Sequence, residues 1–558
     1  MNADLVIVNG RVFDGRVRTV HTAVAVADGR IVAVGPDDDV AALAGPDARV
    51  IDAGGGLIHP GFVDAHVHAA FAGVERRSID LTPAASVDET LALIRVGAER
   101  SAGEWVTGGG WSHDLFPAPT RQQLDALVPD RPVALSDAGH HTLWVNSAAL
   151  AAAGIDRDTA APHNGHIHRD EGGEPTGYLN ETAAELVGRV IPPAGDDEIH
   201  DGLLNAQEHL WSLGITGWHE AILGEYNGKA DCTNAYRRAI GSGVLRSDVS
   251  GALWIAPGLS AAEVPALVSR FVALRAQNAA AGFATSTAKA MIDGVPHGET
   301  AALLEPYCTH ADGFTGALHF DVEAIHAFVR ELDAAGFALH LHIMGDRGVR
   351  VALDAIEAAR AANGPGPRHH IAHLSMVDAV DAARFGPLGV TANIQGLWAA
   401  PDPFLATVVG DERMRHGYPF RTMVDGGADL AMGSDWPVSP PDPWLAIHVA
   451  VNRWAPAPPG APADVPPGGL PGVPPAGAPA TLDAEHQALT LAEALGAYTA
   501  GSTSLVLGRA GRVRVGERAD LAVASTDPFA LPAEALVSVR TTVTVVRGEV
   551  VFAADAAS

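Results

Sequence analysis

Residues 59–68, HPGFVDAHVH, form an apolar run that closes on His66 and His68. On a strand, residues i and i+2 point to the same side, so both imidazoles of this pair can reach one cation. With 25 histidines in the chain an HxH pair can arise by chance, and its weight depends on the rest of the sequence. FALHLHIMGD (337–346), RHHIAHLSM (368–376) and ADLAMGSDWPV (428–438) have the same texture: an apolar, strand-like run turns polar at His342, His373 and Asp435. Amphipathic helical patterns separate such runs. DEIHDGLLNAQEHLWSLG precedes ITGWHEA, VEAIHAFVRELDAAG precedes FALHLHIMGD, and GVRVALDAIEAARAANG precedes RHHIAHLSM.

Alternating strands and helices imply a parallel sheet. An open doubly wound sheet fits the alternation too, but no Gly-rich nucleotide loop follows an early strand, so a (β/α)8 TIM barrel is expected. In that barrel the C-terminal ends of different strands converge on one face, where ligands distant in sequence can meet. The two chain ends read differently. DLVIVNGRVF and AVAVADGRIVAVG near the start, with the turn dipeptide Asp28-Gly29, and ADLAVAST and VSVRTTVTVVRGEVVFA near the end, with Arg547-Gly548, are β-rich. The expectation is a small β-sandwich built from 1–58 and 501–558, flanking a barrel with insertions over 59–500. Within it, residues 455–480 are almost entirely Pro, Gly, Ala and Val and read as a semi-extended loop, either solvated or lying over a pocket as a lid.

Composition excludes several classes. A formal charge of -29 opposes nucleic acid and anionic membranes. No apolar run reaches the roughly 18 residues of a membrane span, and the N-terminus lacks a basic start followed by a signal-length apolar stretch, so a cytoplasmic location is expected. Cys232 and Cys308 are too few for a disulfide framework and read as free thiols. Of the 37 basic residues only Lys229 and Lys289 are lysines. Lys229 sits in a polar stretch; Lys289 sits in the apolar TSTAKAMIDG. Burial pushes a lysine toward its neutral form, and a neutral amine can add carbon dioxide to become an anionic carbamate able to bridge two cations; arginine does not lose its proton and cannot do this. The bland alternatives are a Lys289–Asp293 salt bridge, hydrogen-bonded core histidines at 342 and 373, and Asp435 as a helix N-cap ahead of Trp436-Pro437.

Taken in order, PGFVDAHVH, LSDAGHHTLWVNSAAL, HIHRDEGGEPTGYLNE, SLGITGWHEA, KAMIDG with TAALLEPY, HIMGDRGV, IAHLSM, MGSDWPV, LTLAEALGAYTAG and GRVRVGERADLAV resemble the amidohydrolase superfamily, and within it the YtcJ-like amidohydrolase family 3 group that includes N-substituted formamide deformylases. The resemblance spans nearly the whole chain. It implies that His66 and His68 bind a first metal, that Lys289 as a carbamate bridges to a second held by His342 and His373, and that Asp435 contacts the first metal and shuttles protons. Two divalent ions are implied, zinc first, with manganese or iron as alternatives. The implied reaction is hydrolysis of a non-peptide C–N bond in a small N-formyl or N-acyl compound. A mononuclear deaminase, cyclic amidase or lyase on the same scaffold is the alternative, and a metal-bearing binding protein without turnover the third reading. A homodimer is left open. His340 lies in phase with His342, so choosing His342 rests on its spacing to Gly345-Asp346. Ala372 stands where relatives often carry an acid, and VPHGE (295–299) departs from the usual stretch. Trp111, His140 and Trp436 are candidates for the substrate pocket, with core packing the competing reading for the two tryptophans.

Overall fold

The computed structural model describes residues 2–81, 83–101, 103–113, 115–137, 142–162, 165–226, 229–456 and 481–554. His140 and nearly all of the Pro-rich stretch lie outside these residues. The described chain divides into two compact units, residues 1–69, 207–224 and 236–558 forming the first, and 70–206 with 225–235 the second.

The first unit contains eight parallel strands hydrogen-bonded in chain order: β1 (Phe62–Val67), β2 (Ile215–Leu223), β3 (Asp248–Trp254), β4 (Ala284–Met291), β5 (Ala338–Ile343), β6 (His370–His373), β7 (Thr391–Ile394) and β8 (Leu430–Met432). They read as nearly continuous apolar runs because both faces are covered: all of β1, β2, β6 and β7 is buried. The register aligns Lys289 with His340 and His340 with His370 across β4, β5 and β6. Crossover helices pack one apolar stripe inward. The helix Val322–Ala334 buries Ala324, Ile325, Phe328, Val329 and Leu332, the spacing of one helical face, and Asp346–Asn363 does the same and stops at Gly364.

The seam of the barrel is closed by the segment that follows β8. Asp435 N–H donates to the His66 carbonyl (2.7 Å) and His68 N–H to the Trp436 carbonyl (2.9 Å). Beneath them the fully buried Asp64 carboxylate accepts from Ser434 Oγ (2.6 Å), from Ser434 N–H and from His66 N–H (3.0 Å). Together these bonds lock the end of β1 to the loop that carries Asp435.

The chain ends form the sandwich. One sheet is Arg30–Gly35, Ala23–Ala27, Ala3–Val8 and Ala44–Asp52; the other joins Arg11–Val12 and Leu57–Pro60 to Leu521–Ala524, Thr541–Val546 and Glu549–Ala553. Leu5, Ile7, Val24 and Val26 from the first pack against Ile58, Leu521, Val523 and Val545 from the second. Both turn dipeptides take positive φ at each residue, Asp28 (50°) and Gly29 (72°), Arg547 (52°) and Gly548 (82°), the twist a two-residue hairpin requires.

The second unit is a mixed six-stranded sheet, Gly165–Arg169, Pro175–Glu181, Thr142–Val145, Val133–Asp137, Val106–Trp111 and Ile79–Asp80 in spatial order. Ile94 of the helix Val87–Arg100 joins Leu124, Val133, Leu135 and Trp144 in its core. Among the described residues no helix is long and apolar enough to cross a membrane.

Ser434→Ala removes the hydroxyl that binds the buried Asp64 carboxylate. It is expected to cost about 1–3 kcal/mol, read as a lower urea midpoint with unchanged slope.

Candidate metal centre

The sequence that closes the barrel also builds the site. Strand alternation turns His66 and His68 to the same side at the end of β1, while the seam hydrogen bonds hold Asp435 in a left-handed conformation (φ 58°). Asp435 Oδ1 then lies 3.2 Å from His66 Nε2 and 3.2 Å from His68 Nε2. That oxygen makes no well-directed hydrogen bond. A carboxylate oxygen 3.2 Å from each of two imidazole nitrogens matches the edge of a tetrahedron around a cation with ligand bonds of about 2.0–2.1 Å, and the three donor atoms all lie within 4.8 Å of one another. Asp435 caps no helix: the next helix, Pro443–Asn452, is capped by Asp442, whose side chain accepts from Trp444 N–H.

His342 and His373 come together at the ends of β5 and β6, with ring centroids 4.3 Å apart, and His373 lies 4.7 Å from His66. The His342 ring is hydrogen-bonded to the backbone of Gly294, which leaves its Nε2 without a partner; neither nitrogen of the fully buried His373 has one. The stacked indole of Trp398, at 5.2 Å and 9°, covers the His373 ring. Unbonded buried nitrogens are costly unless a ligand takes their lone pairs, so these residues fit a second cation.

Lys289 is buried on β4, and no salt bridge to it occurs among the described residues. Asp293, its sequence-level candidate partner, instead accepts from the backbone N–H groups of Ala302 (2.9 Å), Met344 (3.0 Å) and Gly345 (2.8 Å), fixing the loop that follows His342. Burial lowers the Lys289 ammonium to about 7, against an opposing pull from Asp435. Burial likewise lowers His66 to about 4 and His342 and His373 well below the usual imidazole range, so they are neutral donors. Burial works to raise Asp435, but the neighbouring imidazoles, His66 foremost, outweigh it and keep the carboxyl ionised.

Near this site, His219, His370 and Glu220 were not singled out from sequence, and His340 was weighed there only as an alternative to His342. His219 on β2, His340 on β5 and His370 on β6 turn ring nitrogens toward one another within 4.8 Å, forming a second histidine cluster in the same barrel. Glu220 on β2 accepts from Tyr236 OH (2.5 Å), and its other oxygen lies 3.9 Å from His68 Nδ1. The HE pair in GWHEA and the closely spaced histidines of ALHLHI and HHIAH were the available signals. Of the pocket candidates, Trp436 is 9% exposed and packs on His209 at 5.3 Å. Trp111 lies in the core of the second unit, 1% exposed, with its indole N–H donating to the Leu135 carbonyl.

A family model described as the amidohydrolase family matches residues 49–552. The Bacillus subtilis (strain 168) protein YtcJ, named as an amidohydrolase, is 29% identical over 548 residues, 95% of this chain and 96% of the relative. The N-substituted formamide deformylase of Arthrobacter pascens is 28% identical over 555 residues, 94% of each chain. Among solved structures, an uncharacterized metal-dependent hydrolase from Pyrococcus horikoshii OT3 shares the fold, with a TM-score of 0.70 at 23% identity, 95% of this chain and 99% of that one being covered. With eight parallel strands, histidine-rich candidate metal sites and a family match across nearly the whole sequence, this chain belongs to the amidohydrolase family and is a hydrolase.

Proposed function

We propose that this hydrolase cleaves the C–N bond of a small N-formyl or N-acyl amide at a binuclear centre, with His66, His68 and Asp435 holding one divalent ion, His342 and His373 the other, and a carbamate on Lys289 joining them. The observation that carries the reading is the convergence of Asp435 Oδ1 on His66 Nε2 and His68 Nε2, 3.2 Å from each, beside buried imidazole nitrogens that no protein group satisfies. The similarity to an N-substituted formamide deformylase supports the substrate class. Zinc is the favoured metal, because imidazole and carboxylate donors in near-tetrahedral spacing suit it.

Divalent ions bound there would polarise the amide carbonyl and acidify water. The protein's own groups do the rest. Asp435, ionised and pinned by the seam, takes the proton of the attacking water and returns it to the departing nitrogen, so one carboxyl serves as base and then acid. Lys289, neutral above about pH 7, forms an N–C bond to carbon dioxide and releases one proton, which leaves an anionic oxygen donor. Trp436, next in sequence to Asp435, is proposed to border the substrate, and His140 stands as a pocket candidate from the sequence, whereas Trp111 is packed in the core of the second unit. A mononuclear deaminase or cyclic amidase is the second reading. It draws on the His66–His68–Asp435 group being a complete three-donor set by itself.

Asp435→Asn is expected to lower turnover of a formamide substrate by about 10²–10⁴-fold; unchanged turnover would overturn the assigned role. Lys289→Ala is expected to lose one metal equivalent per chain by elemental analysis, whereas full metal content and rate would favour the mononuclear reading. Because burial depresses the Lys289 ammonium to about 7, the neutral amine dominates above that pH and the ammonium below it. Reconstitution of metal-free protein with zinc and bicarbonate should therefore be faster and more complete at pH 8 than at pH 6, followed as metal retained after desalting.

A further inference from the structure

The histidine cluster beneath the strand ends is not used by the reaction described above. Barrel interiors are ordinarily filled by branched apolar side chains, yet here His219, His340 and His370 are buried together, each at most 2% exposed. His340 Nε2 lies 2.9 Å from His66 Nδ1 with the rings nearly perpendicular at 83°. One of those two nitrogens must carry the proton and the other the lone pair.

The proton count decides the direction. If His66 gives its Nε2 lone pair to a cation, its single proton sits on Nδ1 and is donated to His340 Nε2. Neutral His340 then carries its own proton on Nδ1, which faces the cluster without a protein partner. His219 Nε2 is likewise without a protein partner, and its Nδ1 is held by Ser250 Oγ at 2.7 Å. On the other flank Asn393 Nδ2 donates to His370 Nδ1 (3.2 Å) and to the Ala65 carbonyl (2.9 Å), tying the layer to β1 itself. His340 and His370 pack at 4.3 Å and His340 and His219 at 5.3 Å, so the ring of His340 is gripped from both sides.

We infer that His340 is the positioning residue of His66: by accepting the Nδ1 proton of His66 it commits the opposite nitrogen to the cation, and the His219–His370–Asn393 layer holds it in that orientation. The inference rests on His66 being a metal ligand. It also bears on the cluster itself. Three histidine nitrogens within 4.8 Å invite a further cation, but such an ion would need the Nδ1 lone pair of His340, and His340 would then have to donate from Nε2 to His66. A filled lower site and a metal-bound His66 are thus in competition for one proton.

The test compares His340→Leu with His340→Gln, whose side-chain oxygen can accept at the reach of Nε2. His340→Leu is expected to keep the apo fold and to weaken zinc binding about 10–100-fold in chelator competition, while His340→Gln stays within about threefold of the parent. In the cobalt-substituted parent, a slowly exchanging imidazole N–H resonance, lost in D2O, is expected and should vanish in His340→Leu. Equal zinc affinity in all three proteins would overturn the inference while leaving the metal centre intact; absence of bound metal in the parent would instead sink the proposed function. Should His340→Leu fail to fold, the cobalt spectrum of the parent decides alone, its lack of that resonance counting against the inference. A further metal equivalent lost in His219→Ser would also overturn it.

Discussion

The closure of the barrel between β1 and the loop after β8 is the constraint on which the site depends. β8 is three residues long, and the ladder to β1 is continued by irregular backbone: Asp435 N–H to the His66 carbonyl, His68 N–H to the Trp436 carbonyl, and Ser434 to the Asp64 carboxylate. These bonds hold Asp435 at positive φ, a conformation that costs on the order of 1–3 kcal/mol and that aims its carboxylate at both histidines of the HxH pair. His373 at the end of β6 has φ 80°. Strain of this kind persists only where surrounding bonds over-determine it, and here both strained residues present side chains to the same centre.

Desolvation then sets the chemical character of the interior. Burial disfavours the charged forms of His66, His340, His342, His370, His373 and Lys289. The Asp435 carboxylate is kept ionised by its neighbours. Buried imidazoles beside this anion, with several lone pairs unsatisfied, form a field that favours a cation. The fold alone does not choose a substrate; the donor set suits metal-assisted attack as proposed.

Much of this was legible in the chain. Apolar runs ending in histidine or aspartate are the strands and their polar ends, and Asp28-Gly29 and Arg547-Gly548 form the turns that those dipeptides favour. What could not be read was depth. His340 and His342 point the same way from β5, so alternation cannot separate them; two residues along a strand is about 6.8 Å, and that step puts His342 beside His373 and His340 beside His370. Trp111 posed a related difficulty, since an aromatic next to polar residues reads alike in a pocket and in a core; the structure buries it among Trp144, Tyr178 and His113. Likewise Asp435 and Asp442 both precede a Pro within two residues, and only the backbone shows which of them caps the helix.

His373 shows how packing can orient a side chain. The residue before it is Ala372, and neither ring nitrogen of His373 has a protein hydrogen bond. In the proposed role of metal ligand, a ring that could turn freely would lose the preorganisation that a metal site needs. Here Trp398 stacks nearly parallel on one face of the ring while the His342 ring packs against it at 63°. Trp398 is itself fixed, because its indole N–H donates to Ser439 Oγ (3.1 Å) and Ser439 Oγ in turn donates to the Ser434 carbonyl. The orientation of His373 is therefore set through an aromatic plane anchored to the same seam that positions Asp435, and both sides of the centre depend on one loop.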